Sequence, residues 1–342
     1  MSDDALAVVV GPERVDATLA ALCERGAYDP DRSLRPVDEG DGVAIPVTSV
    51  PDGVRYREVV RDVGEPRLRG LEDHLRERGW SDEEVDRAPG SWAVLGSVVL
   101  VDVDGAPRPR EVGEALLALH GEADTVLARG GITGESRRPD VEVLAGEGDT
   151  ETVHTEHGTR YAMDLAEVMF SPGNKAERLR MGEVADAGER VVDMFAGIGY
   201  FTLPMAWAGA EVTAIERNPV AFRYLLENAR LNDVGERVHP YRADCRDVLE
   251  RVDAETDVTA DRVVMGYYDA HEYLDPALAA LDPGGVLHVH EATPEPLVFD
   301  RPLERVRAAA RKRGRTADVL ETRRVKTHSE GVAHVVVDAA VE

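Results

Sequence analysis

The chain has 342 residues, room for two or three domains at roughly 100–200 residues each. With 43% hydrophobic residues it can fill ordinary cores, which excludes a disordered chain, and no apolar run reaches membrane-spanning length. Asp and Glu number 66 against 40 Lys and Arg, a formal net charge of −26, and only Lys175, Lys312 and Lys326 are lysines.

An acidic, lysine-poor surface stays hydrated when concentrated salt screens its self-repulsion, so the composition predicts a halophilic protein. Met1-Ser2-Asp3-Asp4 lacks the charged flank and apolar stretch of a signal peptide. Cys23 and Cys245 stand far apart without metal-ligand spacing. Both features fit a reducing cytoplasm. One stretch runs against the acidic balance. Between 301 and 326 ten basic residues face three acidic ones, which makes this run a candidate polyanion site, with Arg55, Arg57, Arg61, Arg67 and Arg69 a milder cluster.

In chain order, residues 1–53 read as a small α/β domain. LAVVV (6–10) is strand-like, Val15, Leu19 and Leu22 recur at helical spacing until Gly26, IPVTSV (45–50) is a second strand, and Pro51-Asp52-Gly53 closes the unit. A middle α+β domain follows over 54–171: a helix through Leu68, Leu71 and Leu75, a buried strand or hairpin at 92–103, a helix at 111–121, then short β-type runs through 126–169. From 172 to 342 strands alternate with helices. Strands fall at 190–195, 211–216, 238–244, 261–267 and 285–291, helices at 177–184, 202–208, 219–231, 271–281 and 302–313, and a β pair ends the chain. Such alternation predicts a Rossmann-like, doubly wound α/β sheet with its ligand at the carboxyl ends of the strands.

The segment VVDMFAGIGYF (191–201) marks that end. Gly197 and Gly199 let a backbone approach a ligand where a Cβ would obstruct it, although position 202 is Thr and the full dinucleotide fingerprint is absent. Asp193 precedes the loop, where a carboxylate can receive a cationic amine. Glu216 ends the next strand, where it can accept both hydroxyls of a ribose, and Asp244 ends the third, within reach of an adenine amino group. A free ribose diol fits NAD and S-adenosylmethionine alike. Acids so close to the loop disfavour a pyrophosphate and suit a sulfonium bearing an α-amino group. S-adenosyl-L-methionine is the predicted cofactor.

VVDMFAGIGYF followed by AIERNPVAFRYLLENARLN, with GGITGESRRPD and HTEHGTRYAMDLAEVMFSPGNKAERLRM upstream, resembles the archaeal and eukaryotic enzymes that modify tRNA beside the anticodon. Residues 5–50 are similar to the small N-terminal domain of that family's guanine-37 N1-methyltransferases. Where base-nitrogen methyltransferases of this kind carry an Asn-Pro signature, this chain has Met265-Gly266-Tyr267. With HVHEATPE (288–295), that stretch resembles the wybutosine-pathway aminocarboxypropyltransferases. The resemblance implies transfer of the 3-amino-3-carboxypropyl group of S-adenosylmethionine to C7 of 4-demethylwyosine at tRNA position 37, in tRNA-Phe, with methylthioadenosine released. The alternatives are guanine-37 N1-methylation and a non-catalytic, cofactor-binding RNA chaperone.

Carried over by motif, the cofactor contacts would be Ser171 and Arg178 from SPGNKAER, Glu216, and Asp244-Cys245 from YRADC. A helix-borne Arg178 could hold the methionine carboxylate bidentately and so expose the γ-carbon. His288 and His290 share a strand face without a third ligand at metal spacing. His290 is placed either to touch the base and help remove its proton or to be a satisfied strand-end histidine. Trp80, Trp92 and Trp207 read as core.

Overall fold

The computed structural model describes residues 6–37, 41–61, 66–134, 137–249 and 259–342. Met1–Asp4, and Glu135 and Ser136 within GGITGESRRPD, lie outside the described residues. Two units are distinct, Met1–Ser81 and Asp82–Glu342.

In the first unit β1 (Leu6–Val10) is followed by α1 (Val15–Glu24), β2 (Arg35–Pro36), β3 (Val43–Val47), β4 (Glu58–Arg61) and α2 (Leu71–Glu77). The sheet order is β2-β3-β1-β4, antiparallel at β1, with Val8, Val10, Leu22, Ile45 and Val47 as its core. The sheet therefore continues past the turn at 51–53. Strand β4 is only four residues long with charged ends, so it has too little alternation to announce itself.

The second unit opens with α3 (Asp82–Val85), a hairpin of β5 (Trp92–Leu95) and β6 (Val98–Val101), α4 (Pro109–Leu119), β7 (Thr125–Thr133) and β8 (Arg138–Gly146). These strands form one sheet in the order β5-β6-β7-β8. The hairpin turns at Gly96 (φ +58), where a Cβ would lie 2.2 Å from the Thr152 hydroxyl. A separate two-stranded hairpin, β9 (Glu151–Glu156) and β10 (Thr159–Asp164), follows.

Next come α5 (Lys175–Val184), β11 (Arg190–Asp193), α6 (Thr202–Ala208), β12 (Glu211–Ile215), α7 (Pro219–Leu231), β13 (Val238–Tyr241) and α8 (Cys245–Leu249). The chain ends with β14 (Ala260–Met265), α9 (Leu274–Ala280), β15 (Leu281–Pro294), α10 (Asp300–Lys312), β16 (Ala317–Ser329) and β17 (Val332–Val341). The seven strands lie in the order β13-β12-β11-β14-β15-β17-β16. The first five are parallel, and β17 enters antiparallel beside β15. The two faces are legible residue by residue in β11. Val191 packs with Met181, Leu203 and Leu225 of α5, α6 and α7, while Val192 packs with Leu249, Leu278 and Val306 of α8, α9 and α10. The chain leaves β11 for β12 on one side and reaches β14 on the other, which makes its carboxyl end the switch point where such sheets open a crevice.

Helix α7 fixes that crevice to the β9–β10 hairpin. Its Asn218 cap accepts from the amide of Val220 at 2.9 Å, an arrangement worth about 1 kcal/mol. Asn228 then mimics a neighbouring strand, accepting from Ala162 N (2.7 Å) and donating to Ala162 O (3.0 Å) and to Ile198 O (3.0 Å). Asn232 does the same for Arg160 at 2.8 and 2.7 Å. The asparagines of ENARLN are therefore architectural, joining hairpin, helix and glycine loop.

Candidate functional site

A cleft opens at the carboxyl ends of β11, β12, β13 and β14, enclosing about 1300 Å³ including its mouth.

Glu216 is its central acid. Its carboxylate accepts the Gly197 amide at 2.8 Å and the Asn218 amide at 2.6 Å, so one side chain joins the glycine loop to the α7 cap. Burial raises its pKa against the pull of those amides. A carboxylate presents two acceptor oxygens, the pair that binding a vicinal diol requires. Gly197 lines the cleft with φ +57, and a Cβ there would lie 2.3 Å from the Tyr200 ring.

Asp193 and Gly199 are placed otherwise than expected, since neither lines the cleft. Asp193 is fully buried, accepting the Thr202 hydroxyl at 2.8 Å and the Phe195 amide at 3.3 Å. Burial, opposed by the Thr202 bond, pushes its pKa up to about 6. It anchors the loop from beneath. Gly199 (φ +104) admits Leu203 and Leu225, whose side-chain carbons would stand 2.8 and 3.3 Å from a Cβ. Its role is packing.

At the β13 end, Asp244 and Cys245 line the cleft. Arg246 binds Asp244 through Nε (2.9 Å) and Nη2 (2.7 Å) and holds its pKa down. Cys245 is buried, and burial beside Asp244 pushes its thiol up to about 12, so it is a neutral wall.

At the opposite end stand Ser171, Asn174 and Arg178. Arg178 is bidentate, but to a residue of this chain: Nε and Nη2 donate to Glu156 at 2.7 and 2.9 Å, and Nη1 donates to the Ser171 carbonyl at 2.9 Å. The fork expected to hold a ligand carboxylate is thus engaged by Glu156. Burial pushes the Glu156 pKa up, but hydrogen bonds from His154 and Arg178 outweigh it and bring the pKa to about 2. The Arg178 guanidinium also lies 4.6 Å over the Phe170 ring. Lys326 donates to the Ser171 hydroxyl, and burial, reinforced by Arg129 and Arg178, lowers its pKa.

The side of the cleft formed by β14 and β15 is aromatic. Phe195 lies 5.2 Å from Tyr267 and 5.1 Å from Tyr273, ring centre to ring centre. Arg137 sits over Tyr267 and Tyr268 at 5.5 and 5.6 Å. Met265 is buried, and a Cβ at Gly266 would lie 2.8 Å from Phe201, so neither position offers a side-chain acceptor. His290 and His334 complete the lining, 3.0 Å apart.

Glu156, Arg137 and His334 were not legible as site residues. Each comes from a distant element, and only the fold brings them to the strand ends. His288 is set between Arg262 and Asp338 at 2.5 and 2.6 Å. Among the described residues no three His, Cys, Asp or Glu side chains could share a metal ion, and no helix is long and apolar enough to cross a membrane. Trp80 is buried, whereas Trp207 is 58% exposed against Gly158 instead of in the core.

Much of the basic run 301–326 is paired within the chain. Arg301 and Arg305 pair with buried Glu291, Arg323 with Glu177 and Asp338, Arg324 with Glu295, and Arg315 donates to carbonyls of Leu278 and Leu281. Arg307, Arg311 and Lys312 remain exposed on α10.

A parallel sheet with a carboxylate at the end of β12 clasping the glycine loop is a Rossmann-type, nucleoside-binding arrangement. Residues 152–320 match the family described as the TRM5/TYW2 methyltransferase domain, and 71–150 match the TYW2 N-terminal domain. The chain is 38% identical to a tRNA(Phe) (4-demethylwyosine(37)-C(7)) aminocarboxypropyltransferase of Pyrococcus horikoshii, over 80% of this chain and 99% of that one. It is 33% identical to the tRNA (guanine(37)-N(1))-methyltransferase Trm5b of Pyrococcus abyssi, over 98% of this chain and 99% of the relative. The crystal structure of P. horikoshii TYW2 in complex with MeSAdo superposes with a TM-score of 0.68 at 35% identity, covering 80% of this chain and 99% of that one. The chain belongs to the TRM5/TYW2 family.

Proposed function

We propose that this protein is an S-adenosylmethionine-dependent tRNA aminocarboxypropyltransferase acting on C7 of 4-demethylwyosine at position 37, in tRNA-Phe, in the cytoplasm of a halophile. The observation that carries this choice is the Met265-Gly266-Tyr267 end of β14, which offers no acceptor at its first two positions to orient a ring N–H. The relatives named for this reaction support it.

The residues present fit the donor. The Glu216 carboxylate would accept from the ribose diol, and Asp244 with the neutral Cys245 wall would border the adenine. Gly197 provides the close backbone approach, while Asp193 and Gly199 shape the loop from behind. Ser171 and Arg178 bound the methionine end, with Glu156 holding Arg178 in place. A sulfonium activates all three of its carbons, and the one held in line with the nucleophile at about 3–3.5 Å reacts. In the proposed reaction the C7–Cγ bond forms as Cγ–S breaks, sulfur keeps the electron pair, and the C7 proton is lost. The tyrosines beside Phe195 offer the planar walls a base requires. In this reading the residues ahead of 172 position the tRNA, and 172–342 carry out the chemistry.

The test uses two labels. Transcripts carrying 4-demethylwyosine are incubated with S-adenosylmethionine labelled in the carboxyl or in the methyl group. Carboxyl label alone should enter this RNA, and neither should enter tRNA with unmodified guanine 37. Methyl label entering guanine-37 tRNA would make the protein an N1-methyltransferase and overturn the reading.

A further inference from the structure

His290 on β15 and His334 on β17 form a hydrogen-bonded pair, Nδ1 of the first to Nε2 of the second at 3.0 Å. Their side chains are almost wholly buried, at 2% and 1% exposure, yet both line the cleft. Their outer nitrogens, His290 Nε2 and His334 Nδ1, have no hydrogen-bond partner among the described residues. Buried polar atoms are normally satisfied, so two orphans on one pair at a cleft wall call for a ligand.

Their position favours the reacting base over the nucleoside. The register of β14 and β15 pairs Met265 with Val289, which brings His290 level with Gly266. The His290 ring lies 5.2 Å from Phe201, the ring that a Gly266 side chain would strike. His334 lies 4.9 Å from Tyr268, under Arg137.

We propose that His290 and His334 together form a proton relay that takes the hydrogen from the reacting carbon of the base, an inference that rests on the function proposed above. One hydrogen bond between two neutral imidazoles couples their tautomers: when one outer nitrogen is bare, the other carries hydrogen. With His290 Nε2 bare, its Nδ1–H donates to His334 Nε2, and His334 Nδ1 holds the outer hydrogen. Once C7 has bonded to Cγ and sulfur has left with its electron pair, the base is cationic and its C7–H is acidic. The C7–H pair returns to the ring as its proton passes to His290 Nε2. The Nδ1 proton shifts to His334 Nε2, and the Nδ1 proton of His334 passes to a water molecule entering from the open cleft, which carries it to solvent. Neither ring ends charged.

Burial, with His288 adding to it at His290 and His290 adding to it at His334, lowers the two pKa values to about 3 and about 2. Both rings are therefore neutral and ready to accept. So weak a base suffices for a cationic carbon acid. Other lining groups are less suited: Glu216 is held by two amides, Asp244 by Arg246, and the Cys245 thiol is far from ionising.

The experiment is single-turnover transfer to tRNA carrying 4-demethylwyosine with protium or deuterium at C7, using wild type, His290→Asn and His334→Asn. In the wild type proton loss should follow bond formation rapidly, with no primary isotope effect. His290→Asn should be slower by roughly 100-fold or more, with unchanged S-adenosylmethionine affinity, and a primary isotope effect should emerge because proton removal now limits the rate. His334→Asn should show the same signature with a smaller loss. The isotope effect is a ratio within one preparation, so partial misfolding does not create it. A His290→Asn rate within threefold of wild type, or a loss with no isotope effect, overturns the relay. Failure of the wild type to place carboxyl label on this base would instead refute the proposed function.

Discussion

Replacing Glu156 by Gln tests the buried pair that positions Arg178. The two side chains are 4% and 3% exposed and meet through two hydrogen bonds of 2.7 and 2.9 Å. Glu156 falls from an ordinary 4.5 to about 2, which corresponds to about 3 kcal/mol of stability at neutral pH. Because the folded value is depressed, that stability is fully present above about pH 4.5 and is lost as pH falls through about 2. Removing one partner of a buried pair strands the other charge, at a cost of about 3–5 kcal/mol. For a unit of this size, spanning Asp82–Glu342, about 3 kcal/mol corresponds to a fall of roughly 6–12 °C in melting temperature. Urea and thermal unfolding in concentrated KCl are the assay, since surface charge is then screened while a buried pair is not. The double variant Glu156→Gln/Arg178→Met should lose less than the sum of the two single losses. A Glu156→Gln loss below about 1 kcal/mol, or strict additivity, would refute the reasoning.

Three further outcomes are expected. Glu216→Ala removes the shared acceptor of the loop and the diol, and calorimetry should show S-adenosylmethionine affinity weakened by about 1–3 kcal/mol. Reversing Arg307, Arg311 and Lys312 to Glu should weaken tRNA binding without changing cofactor affinity, whereas Arg323→Glu, facing Glu177 and Asp338, should lower the melting temperature; filter binding and thermal melts separate the two. With a net charge of −26, the protein should melt at lower temperature as KCl drops below a few tenths molar and the screening length grows, and a flat melting curve across salt would count against the halophilic reading.

The doubly wound sheet was legible because its signal is local. Strands such as 190–195 and helices such as 219–231 announce themselves by period, and Glu216 and Asp244 fall at strand ends by simple counting. Gly197 at the cleft follows from the same logic. What failed to show was pairing across the chain. Arg178 was visible as a helix arginine, but Glu156 lies 22 positions upstream on another hairpin, and only the folded contact makes it the partner. Asp193 was read as a ligand contact because position alone cannot tell a carboxylate facing the cleft from one turned beneath the loop toward Thr202. The basic run of 301–326 was only partly legible for a related reason. Its acidic partners Glu177, Asp275, Glu291 and Asp338 are scattered in sequence and gathered only by the sheet and α10.

The two chemistries of this family ask different things of the protein, and the charge layout of the cleft bears on the choice. Methylation of guanine N1 must remove an N–H proton before or while nitrogen attacks, because the lone pair is otherwise delocalised into the ring. That calls for a strong acceptor, such as a carboxylate, near the base. Among the described lining residues the carboxylates are Glu216 and Asp244, and both are committed beside β12 and β13. On the side of β14 and β15 stand Gly266, three tyrosines and two neutral imidazoles. An electron-rich carbon needs no deprotonation to attack, since its ring π electrons form the new bond and the proton becomes acidic only afterwards. A weak acceptor that acts late is then sufficient, and a charged acceptor would have to be buried at the foot of an apolar wall, at a cost of several kcal/mol. A base side without a carboxylate and fixed acids on the nucleoside side therefore suit a carbon nucleophile better than a nitrogen one.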